Sequence, residues 1–222
     1  MSEPYKIVIL SARAENLVPC VRAIRAQEPD LPADHVVVVD DGARETAEPQ
    51  LPGVHWERGV KPFVFARNAN IGIRAAQSDV VLLNDDALLQ TPRGLTRMVE
   101  AARARPDFGV VAAAVDGVVG NARQHRHPDL TGMHEEPHAL MFVCVLLPRV
   151  VVDRVGLLDE RFVGYGYEDN DYSDRVRAAG LKLGIWHDCV VEHGSLHSTF
   201  RTRADIRELT RENFNIYRGR PR

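Results

Sequence analysis

The chain has 222 residues, of which 45% are hydrophobic and 27% are charged, a balance typical of a soluble globular domain. Its formal net charge of −3 argues against a general nucleic-acid-binding protein, which normally carries a clear positive excess. No stretch approaches the roughly 18 apolar residues of a membrane span, and the three cysteines share no short spacing that indicates a metal site or a disulfide. We therefore expect one soluble or peripheral cytoplasmic domain with reduced thiols.

The first half of the chain alternates short apolar segments with longer amphipathic ones. The apolar segments predict strands at 6–10, 36–39, 54–56, 80–83 and 109–115, and the helical spacing predicts helices at 15–27, 68–77 and 92–105. Continuously apolar strands that alternate with helices are typical of a parallel sheet covered on both faces. The sequence therefore predicts an α/β fold with a Rossmann-like, mostly parallel central sheet.

Polar residues follow three of these predicted strands, at the point where each strand ends. They are Ser11 after the first strand, Asp40-Asp41 after the second and Asn84-Asp85-Asp86 after the strand at 80–83. Such sheets bind ligands beyond the carboxyl ends of their strands, so we expect the three clusters to converge. Converging carboxylates repel one another unless a cation offsets them, and Mg²⁺ and Mn²⁺ prefer carboxylate oxygens. The pattern predicts a metal site, although each acidic turn alone is also typical of a tight turn or a helix cap.

The second half of the chain is less regular. Residues 117–137 are polar, rich in His and Gly, and aperiodic, which predicts a long loop or flap. The remaining pattern predicts strands at 140–147, 183–186 and 189–192, and helices at 150–155, 169–179 and 205–217. The histidines of the polar segment match no zinc-binding spacing, so a polar loop explains them better than a zinc site.

The segment 162–171 is dense in glycine, aromatic and acidic residues. Glycine permits a tight backbone, aromatic rings offer faces on which a sugar can stack, and a carboxylate can remove a proton from an attacking hydroxyl. Glu168, Asp169 and Asp171 compete for that role, and the acidic residues exceed what a helix N-terminus needs for stabilisation. The segment therefore favours a functional role.

Two further positions have both a functional and a structural interpretation. Arg67 and Asn68, near the start of a predicted helix, could meet a diphosphate through a guanidinium and a helix N-terminus, or could be surface polar residues. His193 follows an apolar strand and could be a metal ligand or a structural histidine.

Taken in chain order, these segments resemble the family 2 glycosyltransferases, which have the GT-A fold. The resemblance extends from Tyr5 to about Ser198 and is carried by the segments 7–11, 38–42, 66–72, 82–86, 157–162, 167–171 and 191–195. The stretch 164–169 is also similar to the Gly-aromatic-Gly-x-Glu-Asp acceptor motif of galactosyl- and N-acetylgalactosaminyltransferases. The resemblance implies a nucleotide-sugar-binding half at about 5–116, an acceptor half at about 117–200, and a C-terminal helix with a basic tail at 201–222. All three would belong to one domain, 1–222.

The resemblance implies a role for each matched polar residue on the donor side. Ser11 and Asp41 would contact the nucleobase, Arg67 would lie near the base or the diphosphate, and Asn84 and Asp85 would flank the ribose. Asn84 is a departure, because many relatives have Asp there. A second departure is the segment 11–13, which is Ser-Ala-Arg where relatives often carry Thr-Tyr-Asn.

The resemblance also implies the metal ligands and the catalytic residues. Asp86, the last acid of a D-x-D-like motif, and His193 would bind Mn²⁺ or Mg²⁺. Asp169 would be the general base of an inverting transfer, and Glu168 would hold the acceptor. The expected reaction moves a sugar from a nucleotide-diphosphate-sugar to an acceptor hydroxyl, with no nucleic acid as partner.

Other interpretations stay open at the level of the sequence. A sugar-phosphate nucleotidyltransferase shares the strand–helix alternation and the metal, but would be expected to carry a Gly-rich basic loop after the first strand. A catalytically degenerate sugar- or nucleotide-binding module is the second alternative. The basic tail could contact a membrane surface or a partner, and the chain could form a homo-oligomer.

Overall fold

The structure of the chain is a computed structural model that describes residues 5–163, 166–194, 196 and 206–219. The strands are β1 (Tyr5–Ser11), β2 (Val36–Asp40), β3 (His55–Arg58), β4 (Asp79–Asn84), β5 (Ala87–Leu89), β6 (Phe108–Gly117), β7 (Met133–Glu136), β8 (Cys144–Leu147) and β9 (Lys182–His193). The helices are α1 (Ala14–Gln27), α2 (Arg44–Ala47), α3 (Phe65–Ala76), α4 (Gly94–Arg103), α5 (Arg149–Val155), α6 (Glu168–Ala178) and α7 (Ile206–Arg218).

The strands form one sheet in the order β3-β2-β1-β4-β8-β6-β9-β5, with β7 paired to β9. The first four strands in this order are parallel. The pairings of β8 with β4 and β6 and of β5 and β7 with β9 are antiparallel, whereas β6 and β9 are parallel. Six of the nine strands therefore run in one direction, and the predicted α/β, mostly parallel sheet is confirmed.

The register of the parallel strands places their polar ends side by side. Ser11 lies opposite Asp40 in the β1–β2 pair, and Leu10 lies opposite Asn84 in the β1–β4 pair. Alternate side chains of each strand enter the two apolar layers, so that Ile7 and Ile9 pack on one face of β1 and Val8 on the other. Apolar burial on both faces holds the sheet and leaves the polar ends at one edge.

Two strands of the structure lie where the sequence predicted none. β5 follows directly after the acidic turn at 84–86, and β7 lies inside the polar segment 117–137, which is therefore not one long loop. β7 pairs with β9 through Met133–Trp186 and Glu136–Leu183. The sequence of β7 lacks an apolar pattern because the strand lies on the outer side of β9 and is largely exposed.

Three predicted boundaries also differ from the structure. Residues 183–186 and 189–192 belong to one strand, β9, whose pairing with β6 is interrupted by a bulge. The predicted strand at 140–147 begins only at Cys144, because side chains take the backbone hydrogen bonds before it: Ser173 accepts from the Leu140 amide and Gln124 from the Met141 amide. α3 begins at Phe65, so Arg67 lies within its first turn.

The C-terminal region is described only in part. α7 begins at Ile206, close to its predicted start, whereas residues 197–205 and 220–222 of the acceptor half and the basic tail lie outside the described residues. Positions 164, 165 and 195 of the resembling motifs also lie outside them. Within the part that is described, no helix combines the length and the apolar character needed to cross a bilayer.

A buried asparagine joins α3 to the segment that precedes α6. Asn70 is 1% exposed, and its amide accepts from the Leu158 N–H at 3.0 Å and donates to the Leu158 carbonyl at 2.9 Å and to Glu160 Oε1 at 3.0 Å. The side chain thus bonds both the N–H and the C=O of Leu158, as a neighbouring strand would do with its backbone. Asn70 therefore fixes the loop at 157–160 against the nucleotide half of the sheet.

We predict that Asn70→Ala lowers the free energy of unfolding by about 2–4 kcal/mol, because it leaves a buried N–H and a buried C=O without partners. Urea titration followed by circular dichroism measures the loss. The matched control is Asn215→Ala, at an exposed position of α7, which should change stability by no more than about 0.5 kcal/mol. Equal effects in the two variants would contradict the role given to Asn70.

Candidate active site

The three polar clusters converge at the carboxyl ends of the strands. Ser11 is 2% exposed, and its Oγ donates a 2.6 Å hydrogen bond to Asp85 Oδ2. The carbonyl of Ser11 accepts a 2.8 Å hydrogen bond from the Asp41 N–H. Ser11 therefore connects the turn after β2 with the turn after β4.

The acidic turn after β4 carries two adjacent carboxylates. Burial raises the pKa of Asp85 to about 6, the hydrogen bond from Ser11 opposes that rise, and the charge of Asp86 adds to it. An aspartate in water has a pKa of about 4. The ionised form of Asp85 is therefore disfavoured until a positive charge is brought near.

Asp86 meets His193 across the β5–β9 pair. Ala87, the residue after Asp86, lies opposite His193, and Asp86 Oδ1 is 3.3 Å from His193 Nε2. Both side chains are largely buried, with exposed fractions of 11% and 15%. Two residues that the sequence marked as separate candidates therefore form one pair.

The other ring nitrogen of His193 determines what this pair can bind. His193 Nδ1 is hydrogen-bonded to the carbonyl of Val118, and because a carbonyl can only accept, Nδ1 must carry the proton. In a neutral imidazole, Nε2 then presents a lone pair to the Asp86 carboxylate. His193 Nε2 and Asp86 Oδ1, which lie 3.3 Å apart, would then both be acceptors. They attract each other only when a proton or a cation lies between them.

Asp86 and His193 fit a divalent metal ion. A carboxylate oxygen and an imidazole nitrogen are ligands for Mn²⁺, and a ligating histidine commonly donates its other N–H to a backbone carbonyl, as His193 does. Among the residues that the structure describes, no group of three or more His, Cys, Asp and Glu could hold a metal. The pair therefore suits an ion whose remaining ligands are phosphate and water oxygens.

An open cavity of about 580 Å³ lies beside the end of β2. It is lined by Asp40, Asp41, Gly42 and residues 58–61. Asp40 Oδ1 accepts from the N–H groups of Gly42 and Arg44 at 2.9 and 3.0 Å, which occupies Asp40 with the turn before α2. Asp41 instead pairs with Lys61, whose Nζ is 2.9 Å from Asp41 Oδ1.

Lys61 is a cavity residue that the sequence did not indicate. It lies between β3 and α3, in a segment with no recognisable pattern, and besides its ion pair with the Asp41 carboxylate it donates a 2.6 Å hydrogen bond to the Asp41 carbonyl. The preceding segment is positioned from α3, where Asn68 Oδ1 accepts from the Val60 N–H at 2.9 Å. Asn68 thus supports the cavity wall and is buried, not a surface polar residue.

Arg67 lies on the outer part of this region. It occupies the first turn of α3 and is about one-third exposed, and its Nε is 3.7 Å from Glu160 Oε2. This contact places Arg67 beside the loop that Asn70 fixes. Its predicted contact with a base or a diphosphate stays a prediction.

The second acidic pair lies at the start of α6, where Glu168 and Asp169 are the first two residues. Asp169 is 9% exposed and accepts a 2.8 Å hydrogen bond from the backbone N–H of Asn170. Burial raises the pKa of both carboxyls, and the charge of Asp169 raises that of Glu168 further. Both carboxyls are therefore harder to ionise than an aspartate or glutamate in water.

A short backbone connection joins this acidic pair to the acidic turn. The backbone of Phe142 is close enough to Asp169 to oppose the rise in its pKa, and the carbonyl of the next residue, Val143, accepts a 2.9 Å hydrogen bond from the Asn84 N–H. Asn84 immediately precedes Asp85 and Asp86. The sequence indicated each acidic cluster but not the segment 142–143 that fixes one relative to the other.

Asp171, the third acidic candidate on α6, has a structural partner. It is 2% exposed, and its Oδ2 accepts a 3.0 Å hydrogen bond from Arg175 Nε. Arg175 also donates to the carbonyls of Val155 and Leu157, both at 3.0 Å. Asp171 therefore balances the charge of Arg175, whose hydrogen bonds connect α6 to the end of α5.

Comparison with known proteins identifies a family model and one curated relative. Residues 7–147 match the model of glycosyl transferase family 2. The chain is 29% identical to an uncharacterized protein, y4gI, of Sinorhizobium fredii (strain NBRC 101917 / NGR234), in a match that covers 68% of this chain and 20% of that protein. The chain thus spans about a fifth of the length of this relative.

Solved structures share the fold at low sequence identity. GalNAc-T7 with UDP, GalNAc and Mn²⁺ has a TM-score of 0.74 at 13% identity, over 95% of this chain and 46% of that one. TarS 1–349 of S. aureus has 0.65 at 13%, over 87% and 61%. The mannosyltransferase PcManGT of Pyrobaculum calidifontis, with GDP-Man and Mn²⁺, has 0.64 at 17%, over 90% and 62%. These similarities confirm the predicted GT-A fold.

We predict that Asp86→Ala and His193→Ala each weaken Mn²⁺-dependent binding of UDP or GDP by about tenfold or more, because each would remove one of the few protein ligands available to such an ion. Isothermal titration calorimetry with each nucleotide, with and without Mn²⁺, measures the affinity. The control is Asp116→Asn, which alters an exposed aspartate paired with Arg126 and should leave binding unchanged. Full affinity in the Asp86 and His193 variants would contradict the metal assignment.

Proposed function

The chain belongs to glycosyl transferase family 2, and on this premise we propose that it is an inverting, divalent-metal-dependent glycosyltransferase. It would move a sugar from a nucleotide-diphosphate-sugar to an acceptor hydroxyl. The observation that carries the proposal is that the carboxylate of Asp86 meets the imidazole of His193 at the ends of β4 and β9, while a second acidic pair, Glu168 and Asp169, begins α6. The first pair suits the leaving diphosphate and the second suits the attacking hydroxyl.

The donor nucleotide would lie along the ends of β1, β2 and β4. Asp41, which lines the open cavity, would contact the nucleobase, and Asn84 and Asp85 would flank the ribose. Ser11 is almost fully buried and bonded to Asp85, which supports a role in holding both turns in place. Its own contact with the nucleobase stays a prediction, as does the contact of Arg67 with the base or the diphosphate.

Asp86 and His193 would hold Mn²⁺ or Mg²⁺ against the diphosphate. The bound ion would neutralise the charge that develops on the leaving group. Asp86 supplies the carboxylate, and the hydrogen bond from His193 Nδ1 to Val118 keeps Nε2 directed to the same point. The UDP and GDP-Man complexes of the structural neighbours contain Mn²⁺, which supports a divalent ion at this place.

Glu168 and Asp169 would divide the work on the acceptor. Asp169, which accepts a backbone hydrogen bond from the Asn170 N–H, would accept the proton of the attacking hydroxyl. Glu168, whose pKa is raised further, would be protonated and could donate a hydrogen bond to the acceptor. Pairs of carboxyls with separated pKa values commonly mark such a division between acid and base.

A single base implies a single displacement. The hydroxyl would attack the anomeric carbon opposite the diphosphate, so that the configuration at that carbon inverts, and no covalent nucleophile is needed. Protonation of Asp169 would stop the reaction. Because burial raises its pKa, turnover should fall with decreasing pH at higher pH values than an exposed aspartate would give.

We predict that Asp169→Asn lowers kcat by roughly 100-fold or more, because the amide keeps the size of the side chain but cannot accept the proton. The affinity for UDP or GDP with Mn²⁺ should stay nearly unchanged. The initial rate of nucleoside diphosphate release at saturating substrate gives kcat, and isothermal titration calorimetry gives the affinity for UDP or GDP with Mn²⁺.

The matched control for this variant is Asp171→Asn, the same substitution two residues along α6. It removes the charge that balances Arg175, so it should lower the melting temperature while leaving turnover by the folded protein largely intact. An inactive Asp171→Asn together with an active Asp169→Asn would show that the base has been assigned to the wrong residue.

The proposed function itself is tested by turnover with a panel of UDP- and GDP-sugars, with and without Mn²⁺. We predict metal-dependent release of the nucleoside diphosphate, faster with a panel of p-nitrophenyl glycosides as acceptors, and a product of inverted anomeric configuration by NMR. Release of pyrophosphate from nucleoside triphosphates and sugar 1-phosphates would instead indicate a nucleotidyltransferase. Binding without any turnover would indicate a degenerate binding module.

A further inference from the structure

The helix α7 docks at the entrance to α6, next to the acidic pair. Asn213 is 2% exposed, and its Nδ2 donates a 2.9 Å hydrogen bond to the carbonyl of Gly166. Tyr217 Oη donates a 2.6 Å hydrogen bond to Asp174 Oδ2 on α6 itself. These bonds attach α7 both to the turn before α6 and to the helix.

Aromatic rings reinforce this attachment at Tyr167, the residue before Glu168. The Tyr167 ring centroid lies 5.5 Å from that of Tyr217, with the planes 28° apart, and 5.4 Å from that of Phe214. Ring pairs at such separations stabilise one another beyond the area that they bury. The ring of Tyr167 is therefore engaged by α7, whereas the sequence pattern suggested a ring face offered to a sugar.

The backbone at this turn needs such support. Gly166 has φ 88° and Tyr167 has φ 75°, so two consecutive residues lie in the left-handed region. Glycine adopts this conformation without cost, but a tyrosine is strained there and stays only where its surroundings hold it. The carbonyl of Tyr167 in turn accepts a 2.9 Å hydrogen bond from the Asp171 N–H in the first turn of α6.

We propose that α7 is a positioning element for the catalytic acids, with Asn213, Phe214 and Tyr217 as the residues that fix the Gly166–Tyr167 turn. The turn sets the first residue of α6 and with it the direction of Glu168 and Asp169. This inference rests on the proposed function for its catalytic meaning. The attachment of the turn to α7 stands on the contacts alone.

Because α7 is short, the helix depends on its contacts with the turn and α6 as much as the turn depends on α7. A helix of 13 residues is marginal in water without tertiary contacts. Asn213, Phe214 and Tyr217 lie within five positions of one another, and each contacts the turn or α6. Docking thus orders α7 and holds the strained turn in the same step.

The first test needs no substrate and measures amide hydrogen exchange of the peptide that spans 166–172. Phe214→Leu and Tyr217→Leu, which remove one ring each, should speed exchange there by about tenfold or more, because the strained turn opens. Tyr217→Phe keeps the ring and should stay near the wild-type rate, and Glu208→Gln, at an exposed position of α7, serves as control. Unchanged exchange in both leucine variants would overturn the proposal.

The second test measures turnover of the UDP- or GDP-sugar that the wild-type protein uses, well below the melting temperature of each variant. The leucine variants should lose about tenfold in kcat, because misplacing a base by a fraction of an ångström is costly, with affinity for the nucleoside diphosphate and Mn²⁺ within about twofold. Tyr217→Phe, which keeps the ring that Tyr217→Leu removes, should have a kcat close to that of the wild-type protein.

The outcomes separate the two proposals. Faster exchange with an unchanged kcat would overturn the positioning role, and a parallel loss of kcat and nucleotide affinity would do the same, since it indicates general damage to the fold. A wild-type protein that turns over no nucleotide sugar would contradict the proposed function. In that case the exchange experiment still decides whether α7 fixes the turn.

Discussion

The pairing of β5 with β9 is the interaction on which the candidate site depends. β5 begins one residue after Asp86, and its first residue lies opposite His193, so a carboxylate at the end of β4 reaches an imidazole at the end of β9. The same histidine has Gly117 of β6 on its other side. A Cβ at Gly117 would lie 2.1 Å from the His193 carbonyl oxygen, and its φ of +117° also requires glycine. Both neighbouring strands are thus adapted to hold His193 in place.

The candidate site is rich in carboxylates that the folded chain balances only in part. Asp41, Asp85 and Asp86 lie at this edge of the sheet. Lys61 forms an ion pair with Asp41, and Ser11 donates a hydrogen bond to Asp85. Asp86 faces an imidazole whose other nitrogen donates to a carbonyl, so a cation is the natural complement. At the start of α6, burial raises the pKa values of both Glu168 and Asp169, and the charge of Asp169 adds to the rise at Glu168. A cation held by Asp86 and His193, together with a base from the second acidic pair, would suit the proposed transfer from an anionic donor to a hydroxyl.

Much of the fold followed from local pattern, whereas the contacts that complete the site did not. Continuous apolar runs identified β1, β2 and β4, and the rule on strand ends placed their polar residues together. β5 was missed because three residues after an acidic turn carry no periodicity, and the partners of Tyr167 lie more than 40 positions away in α7. Lys61 lies in a segment without a pattern. One signal was available but not used: Asp171 and Arg175 have the i, i+4 spacing of a helical ion pair, which already separates Asp171 from Asp169.

The central claim is that Asp86 and His193 share one metal ion with the diphosphate of the donor. Pulsed electron paramagnetic resonance of Mn²⁺ bound to the protein together with UDP or GDP tests it most directly. We predict two couplings on the same ion, one from phosphorus of the nucleotide and one from a directly bound imidazole nitrogen that disappears in His193→Ala. Phosphorus coupling without nitrogen coupling, or nitrogen coupling that survives the loss of His193, would contradict it.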